Sequence, residues 1–401
     1  MLEQLALIIL TLLVLNIYGY HGIRKLFALT LFAKQRKFLS LGYWIVDIGF
    51  VLFSLVWAII IRTSAWPDYV QYRNYFYITG AFVLIYIPRI VFLIFVLADD
   101  LKVLTVSFVA YLRGNLKARL PIHWHSGYML PLTGIILSAI MFAWVSFGVA
   151  YGRFNFKIQE VQVEVAGLPE SFDGFRIIHI SDTHFGSFVR KRPVQRAVNM
   201  IQDTPHDILV FTGDMINNDP AEATRFIQLF YNIKSPEGKF SILGNHDLGD
   251  YRRWYLIEER MPDVEKLVDV QESMGFNVLR NEHHFITRGN DSLMIAGIYN
   301  WGLPPFEQYG DLDKALGKHS LFPFKILLSH DPSHWREEVI PQTDIFLTLS
   351  GHTHGMQSGI VTPWFQWSPV SVKYPEWGGL YSYENQNIYV NRGLGFLGFP
   401  G

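Results

Sequence analysis

The sequence predicts an α/β chain in two parts: four membrane-spanning helices over residues 1–151, then an α/β domain over residues 152–401. Three observations predict it. Apolar residues make up 50% of the chain and mean hydropathy is +0.18, too high for an ordinary soluble protein, with the excess lying before Tyr151. After Tyr151 the pattern changes to strands, polar loops and amphipathic helices in alternation. Five successive apolar strands then each end in Asp, Asn or His, which core packing alone would give only rarely.

The four apolar segments are Leu2–Tyr20, Leu41–Ile61, Tyr75–Ala98 and Tyr128–Tyr151, each near the ~20 residues needed to cross a bilayer. The first lacks the basic start and small-residue cleavage site of a secretory signal. Arg24, Lys25, Lys34, Arg36 and Lys37 follow the first segment, and Lys102, Arg113, Lys117 and Arg119 the third; the second connection holds only Arg62 and Arg73. The positive-inside rule therefore puts the first and third connections in the cytoplasm and everything after Tyr151 outside it. Leu104, Phe108, Tyr111 and Leu112 recur at helical spacing, fitting either a helix on the membrane surface or a solvated one packed on the bundle. Asp47 and Arg89 lie within the second and third segments and are expected to pair, since a charge in lipid needs a partner.

Net charge is −1, which gives no basis for a nucleic-acid partner, and cysteine is absent. Disulfides, thiolate ligands and a cysteine nucleophile are thereby excluded. Any metal must be held by His, Asp, Glu or Asn.

In the second part, Val161, Val163 and Val165 alternate as a half-exposed strand would. The run FRIIHISDTHFG from Phe175 reads as a buried strand delivering Asp182 and His184 at its end, where α/β sheets hold ligands. Alone, Asp-x-His is equally a turn with a solvated histidine. Val194, Ala197, Val198 and Ile201 mark a helix after Pro193. Strand Asp207–Thr212 ends at Gly213 and Asp214. A helix around Ala221–Ile233 leads to strand Phe240–Leu243, which ends at Gly244, Asn245, His246 and Asp247. Helical stretches at Tyr251–Arg260 and Asp263–Met274 precede short strands near Phe276 and Leu293. Strand Phe324–Ser329 ends at His330, and strand Asp344–Leu349 at the GHTHG that carries His352 and His354.

Taken together, Asp182-x-His184, Gly213-Asp214, Gly244-Asn245-His246-Asp247, His330 and Gly351-His352-Thr353-His354 resemble, in order and spacing, the five motifs of the calcineurin-like metallophosphoesterases. The tail GLYSYENQNIYVNRGLG resembles their bacterial membrane-associated branch, in which the chain runs on past such a turn, leaving room for a further segment beyond Gly401. The resemblance implies a four-layer αββα sandwich with two divalent ions, Mn²⁺, Zn²⁺ or Fe, at the strand ends. One ion would be held by Asp182, His184, Asp214 and His354, the other by Asp214, Asn245, His330 and His352, with Asp214 as the bridge. A hydroxide between the ions would attack phosphorus. His246 would protonate the departing oxygen, and Asp247 would orient the His246 ring. His179, His206, His283, His284, His319 and His334 match no motif and are read as structural.

Arg252, Arg253 and Trp254 follow the GNHD loop, and Trp364 and Trp367 follow GHTHG. Either they pack between loops, or they face the bilayer at the mouth of the site and admit a phosphorylated lipid or lipid-linked substrate. The expectation is thus a hydrolase of the bacterial inner or plasma membrane whose catalytic domain lies outside the cytoplasm. Two alternatives are a UDP-2,3-diacylglucosamine pyrophosphatase-like enzyme of lipid A synthesis and a non-catalytic metal- or phosphate-binding sensor. An intact His246 argues against the sensor, since a pure binder needs no proton donor there.

Overall fold

A computed structural model describes residues 2–27, 34–63, 68–113, 128–251, 258, 260–362 and 364–399. The chain divides into two compact units, residues 1–66 with 77–150, and residues 67–76 with 151–401.

The first unit is helical. Its helices are Leu2–Leu26, Arg36–Thr63, most of Asp68–Leu112, and Met129–Ala150. Three stretches among the described residues, Arg36–Trp57, Tyr69–Leu112 and Met129–Phe154, are long and apolar enough to cross a membrane. Leu104–Leu112, read above as a separate amphipathic element, instead continues a helix of 45 residues. Nothing in that stretch stops it: no glycine or proline interrupts the run from Arg89 to Leu112. At 1.5 Å per residue this helix is about 67 Å long, roughly twice the apolar thickness of a bilayer.

Helix packing in this unit uses small residues, as expected where lipid supplies no hydrophobic drive. A Cβ added to Gly22 would lie 2.4 Å from Val96 Cγ2, so the first and third helices meet backbone against side chain. Arg89 donates from Nη2 to Asp47 Oδ1 at 2.7 Å and from Nη1 to Asn16 Oδ1, with its guanidinium 5.0 Å from the Tyr43 ring centre. The expected pair is therefore made and extended by an amide. Removing one partner strands a buried charge, so Arg89→Leu should destabilise the protein by about 3 kcal/mol or more, and Arg89→Leu with Asp47→Leu by clearly less. Unfolding midpoints of the three proteins in detergent check this; equal loss in the single and double variants would show that the pair contributes nothing.

The second unit is built on two sheets. Strands β1 (Ile177–Ile180), β2 (Ile208–Phe211), β3 (Lys239–Ser241) and β4 (Asn277–Val278) form a parallel sheet in that order. The second sheet has the order β11-β12-β8-β7-β6-β5, from β5 (Glu282–Arg288), β6 (Asp291–Gly297), β7 (Lys325–Leu328), β8 (Leu347–Ser350), β11 (Gly379–Tyr383) and β12 (Gln386–Val390). A separate hairpin pairs β9 (Ile360–Thr362) with β10 (Phe365–Trp367).

Alternation along β2 assigns the layers. Ile208 and Val210 join an apolar cluster with Ile295, Ile326 and Leu349 of the second sheet, whereas Leu209 and Phe211 face Val198, Ile201 and Leu267 of helices Arg192–Asp203 and Arg260–Ser273. The far side of the second sheet gives Met294, Leu327 and Ile388 to a third cluster, with Leu312 and Trp335 from short helical segments. Strands covered on both faces must be apolar throughout, and β2 and β7 are buried at every position.

Several local expectations change. Val161–Val165 forms no strand, because no neighbouring segment supplies a ladder partner and most of residues 157–162 are exposed. The helix expected over Ala221–Ile233 breaks into Ala221–Thr224 and Ile227–Tyr231. Most of the helix expected at Tyr251–Arg260 lies outside the described residues.

Candidate metal centre

Strands β1, β2, β3, β7 and β8 all run parallel within their sheets, so their carboxyl ends collect on one edge. The loops there are stitched to one another: Asp182 N donates to Gly213 O at 2.9 Å, His184 N to Asp214 O at 3.2 Å, and Gly351 N to His330 O at 2.9 Å. The backbone at the loops is unusual. Asp182, His184, Asp214, His352 and His354 all have positive φ, between 43° and 70°. Non-glycine residues take this conformation at a cost, and such strain gathers where side-chain placement matters for function. Gly213 (φ 94°) has no room for a side chain, because an added Cβ would lie 2.8 Å from His330 Nδ1.

The seven residues predicted as ligands converge. Asp214 Oδ2 lies 3.2 Å from His330 Nε2 and 3.8 Å from His184 Nε2, between the two halves of the site. In one half, His354 Nε2 is 3.3 Å from Asp182 Oδ1. In the other, Asn245 Oδ1 is 3.1 Å from His330 Nε2 and 2.9 Å from His352 Nδ1, and those two ring nitrogens are 3.3 Å apart. Three groups have donor atoms within 4.8 Å of one another: Asp182, His184 and His354; His184, Asp214 and His246; Asp214, His330 and His352.

These residues fit a pair of divalent cations. Buried His184 Nε2 and both ring nitrogens of His354 make no hydrogen bond, a costly arrangement for polar atoms unless they serve another partner. Lone-pair donors pointed at one another are reconciled by a cation between them. Burial pulls the protonation of His184 and His354 down, and that of His352 to about 4, which keeps these imidazoles in the neutral form that binds metal. Burial tends to raise Asp214, but the adjacent His330 outweighs it and holds the carboxyl well below its usual range.

Asp247 does not orient the His246 ring. Its carboxylate accepts from the backbone N–H groups of Asp214 at 2.7 Å, Met215 at 2.8 Å, Ile216 at 3.3 Å and Gly244 at 3.1 Å. Four aligned amides are a stronger attraction for a buried carboxylate than one imidazole, so Asp247 fixes the loop that carries Asp214. His246 Nδ1 instead lies 2.7 Å from Asn217 O. A carbonyl only accepts, so Nδ1 carries the hydrogen and Nε2 is left for the site. The ring is buried and stacks on Tyr251 with centroids 4.2 Å apart.

Two further residues escaped sequence reasoning. Tyr374 Oη lies 3.0 Å from His352 Nε2 and donates to Asp331 Oδ2 at 3.3 Å. Asp331 forms a turn, accepting from Ser333 N, and is also the outer carboxylate of this chain of contacts. The only signal in the sequence was Asp331 beside a motif histidine. Because outer partners fix ring orientation, Tyr374→Phe should weaken binding of the ion at His352 by about 10- to 100-fold in a chelator competition; unchanged affinity would leave Tyr374 a packing residue.

Of the other expected substrate contacts, Arg252, Arg253 and Trp254 lie outside the described residues. Trp364 and Trp367 sit on the β9–β10 hairpin, 87% and 46% exposed. His206 and His283 bond the carbonyls of Thr204 and Ala315, as structural histidines do.

Residues 175–356 match the family model described as Calcineurin-like phosphoesterase, and residues 3–153 one described as "Probable Calcineurin-like phosphoesterase, transmembrane domain". The uncharacterized metallophosphoesterase YkuE of Bacillus subtilis is 30% identical over 268 residues, covering 63% of this chain and 85% of that protein. The chain belongs to the calcineurin-like metallophosphoesterases. This metallophosphoesterase is also 30% identical over 251 residues to the transmembrane protein with metallophosphoesterase domain of Danio rerio, a match covering 61% of this chain and only 54% of that protein. UDP-2,3-diacylglucosamine pyrophosphatase LpxG of Chlamydia trachomatis is 26% identical, over 57% of this chain and 81% of that protein. The metallophosphoesterase described here is an integral membrane protein whose histidine and aspartate clusters suit a dinuclear divalent centre and hydrolysis.

Proposed function

We propose that this metallophosphoesterase cleaves a phosphoester or pyrophosphate bond of a lipid or lipid-linked substrate. The observation that carries the reading is Asp214 Oδ2 lying between His184 and His330, the position of a bridging ligand. Asp182, His184, Asp214 and His354 would hold one ion, and Asp214, Asn245, His330 and His352 the other. Two such ions supply Lewis acidity toward phosphoryl oxygens and a water acidic enough to act as nucleophile. The chain's own part is placement. Asp247 holds the Asp214 loop through four amides, Tyr374 and Asp331 hold His352, and Asn217 turns His246 so that Nε2, when the ring carries a second proton, can hand that proton to the leaving oxygen.

On this reading residues 1–151 form four transmembrane helices, with the helix Leu2–Leu26 as the first, and residues 152–401 form the αββα catalytic domain. The positive-inside count places that domain outside the cytoplasm. Arg24, Lys25, Lys34, Arg36 and Lys37 carry that count in the first connection.

The lipid part of the reading rests on the β9–β10 hairpin, where Ile360, Val361, Trp364, Phe365 and Trp367 are all exposed. Exposed apolar residues in one strand pair mark a contact surface, and tryptophan favours the membrane interface. Metal-supplemented hydrolysis of bis(p-nitrophenyl) phosphate and of a panel of phospholipids and lipid pyrophosphates tests the proposal. Trp364→Ser with Trp367→Ser should lower lipid turnover by about tenfold or more and leave the soluble ester nearly unaffected, because a lost interfacial contact affects only a bilayer-borne substrate. Equal losses on both would remove the lipid assignment, and no hydrolysis of any substrate by metal-loaded protein would remove the enzymatic one. The likeness to LpxG supports a second reading, cleavage of UDP-2,3-diacylglucosamine. That compound belongs in the panel. Its nucleotide would have to reach the site from the cytoplasm, which the charge count disfavours.

A further inference from the structure

The first unit holds a cavity of about 560 Å³ between the end of helix Leu2–Leu26 and the start of helix Arg36–Thr63. Its lining includes Arg24, Arg36 and Lys37, together with Ser40, Tyr20 and Trp44, and no carboxylate. All three are exposed, and their cationic heads share one open space that suits an anion. Nearby Lys25 shows the contrast: its ammonium is paired with both Asp99 and Asp100. Among the described residues no carboxylate pairs with Arg24, Arg36 or Lys37.

The remaining lining is built for an amphipathic ligand. Tyr20 donates to Ser40 Oγ at 3.0 Å, and Ser40 Oγ donates to Arg36 O at 2.7 Å, which holds the two helices in register at the cavity. The Tyr20 and Trp44 rings lie 5.4 Å apart and give the cavity an aromatic wall of the kind that sits at headgroup depth. Arg36 and Lys37 stand in the first turn of the second helix, whose unpaired N–H groups add positive potential there, and Arg24 stands in the last turn of the first. The surrounding helices are of the length and composition that span a bilayer, so phospholipid is the anion present at this depth.

We propose that this cavity binds the phosphate of an anionic phospholipid headgroup, with Arg24, Arg36 and Lys37 as its ligands. None of its residues is a candidate metal ligand, and neither the hydrolytic reading nor the choice of cytoplasmic side bears on it. Basic pockets between membrane helices are suited to such headgroups, at about fivefold in affinity per cation near the surface.

Native mass spectrometry of the full chain released from mixed micelles of phosphatidylglycerol and phosphatidylcholine tests this. Wild type should retain phosphatidylglycerol selectively, less so as ionic strength rises. The variant Arg24→Ala, Arg36→Ala, Lys37→Ala should lose that selectivity by roughly 100-fold. The charge-keeping variant Arg24→Lys, Arg36→Lys should keep most of it, which separates loss of the cations from loss of the fold, as does an unchanged thermal midpoint. Excess inorganic phosphate should not displace the lipid, because it lacks the apolar part that the aromatic wall contacts. Wild type without preference for phosphatidylglycerol, a triple variant that retains it fully, or complete displacement by free phosphate would each overturn the proposal.

Discussion

Asp214→Asn is expected to leave the protein folded but without its ion pair, with hydrolysis lower by roughly 1,000-fold or more, the equivalent of about 4 kcal/mol in the transition state. Three local facts make the position unforgiving. Oδ2 faces His330 and His184 at once, so a neutral amide there removes the one charge that both halves of the site share. Oδ1 already accepts from His246 N at 2.9 Å, which fixes the orientation of the carboxylate. An added Cβ on Gly244 would lie 2.2 Å from the same Oδ1, so the loop is packed too closely for the carboxylate to rotate away. Metal content by elemental analysis, taken with activity, checks the prediction. Full retention of both ions in Asp214→Asn would show that the two halves are held independently and that the bridge is misassigned.

The convergence of the candidate ligands was readable before the fold because the chemistry is local: a strand must stop, and a carboxylate or imidazole just beyond its end has one edge to face. Asp182, Asp214, Asn245, His330, His352 and His354 all obey that rule. The partners of those ligands were not readable, since they come from distant parts of the chain. Asp247 stands next to His246 in sequence, yet its carboxylate is turned to the amides of residues 214–216, more than 30 positions away. Tyr374 reaches His352 across 22 positions, and no motif spacing announces it. The same limit explains Val161–Val165, where alternation was present but a ladder partner was not. It also explains β12, whose register against β8 belongs to the tertiary structure. In the first unit, apolarity marked helices Arg36–Thr63 and Met129–Ala150 well, because burial in lipid needs only composition. It could not mark where the helix through Arg89 stops, since Leu104–Leu112 reads as a separate amphipathic helix although the helix runs on through it.

His246→Ala should keep both ions and slow hydrolysis by about 100- to 10,000-fold, with the loss depending on the leaving group. A proton donor matters when the departing oxygen is a poor leaving group. An alkyl or glycerol oxygen leaves as the alcohol and needs the proton, whereas p-nitrophenolate leaves unaided. The variant should therefore be close to wild type on bis(p-nitrophenyl) phosphate and strongly impaired on an alkyl phosphoester. The ring is placed for this role, with Nδ1–H committed to Asn217 O and Nε2 toward the centre, and Tyr251 stacked behind it. Geometry alone also admits a ligand role, because His246 clusters with His184 and Asp214. The metal content of His246→Ala separates the two: loss of an ion makes His246 a ligand, and equal slowing on both leaving groups removes the acid role. Asp247→Asn supplies the control, because it disturbs amides around Asp214 without touching the imidazole. It should weaken metal binding while the ratio of rates on the two leaving groups stays as in wild type.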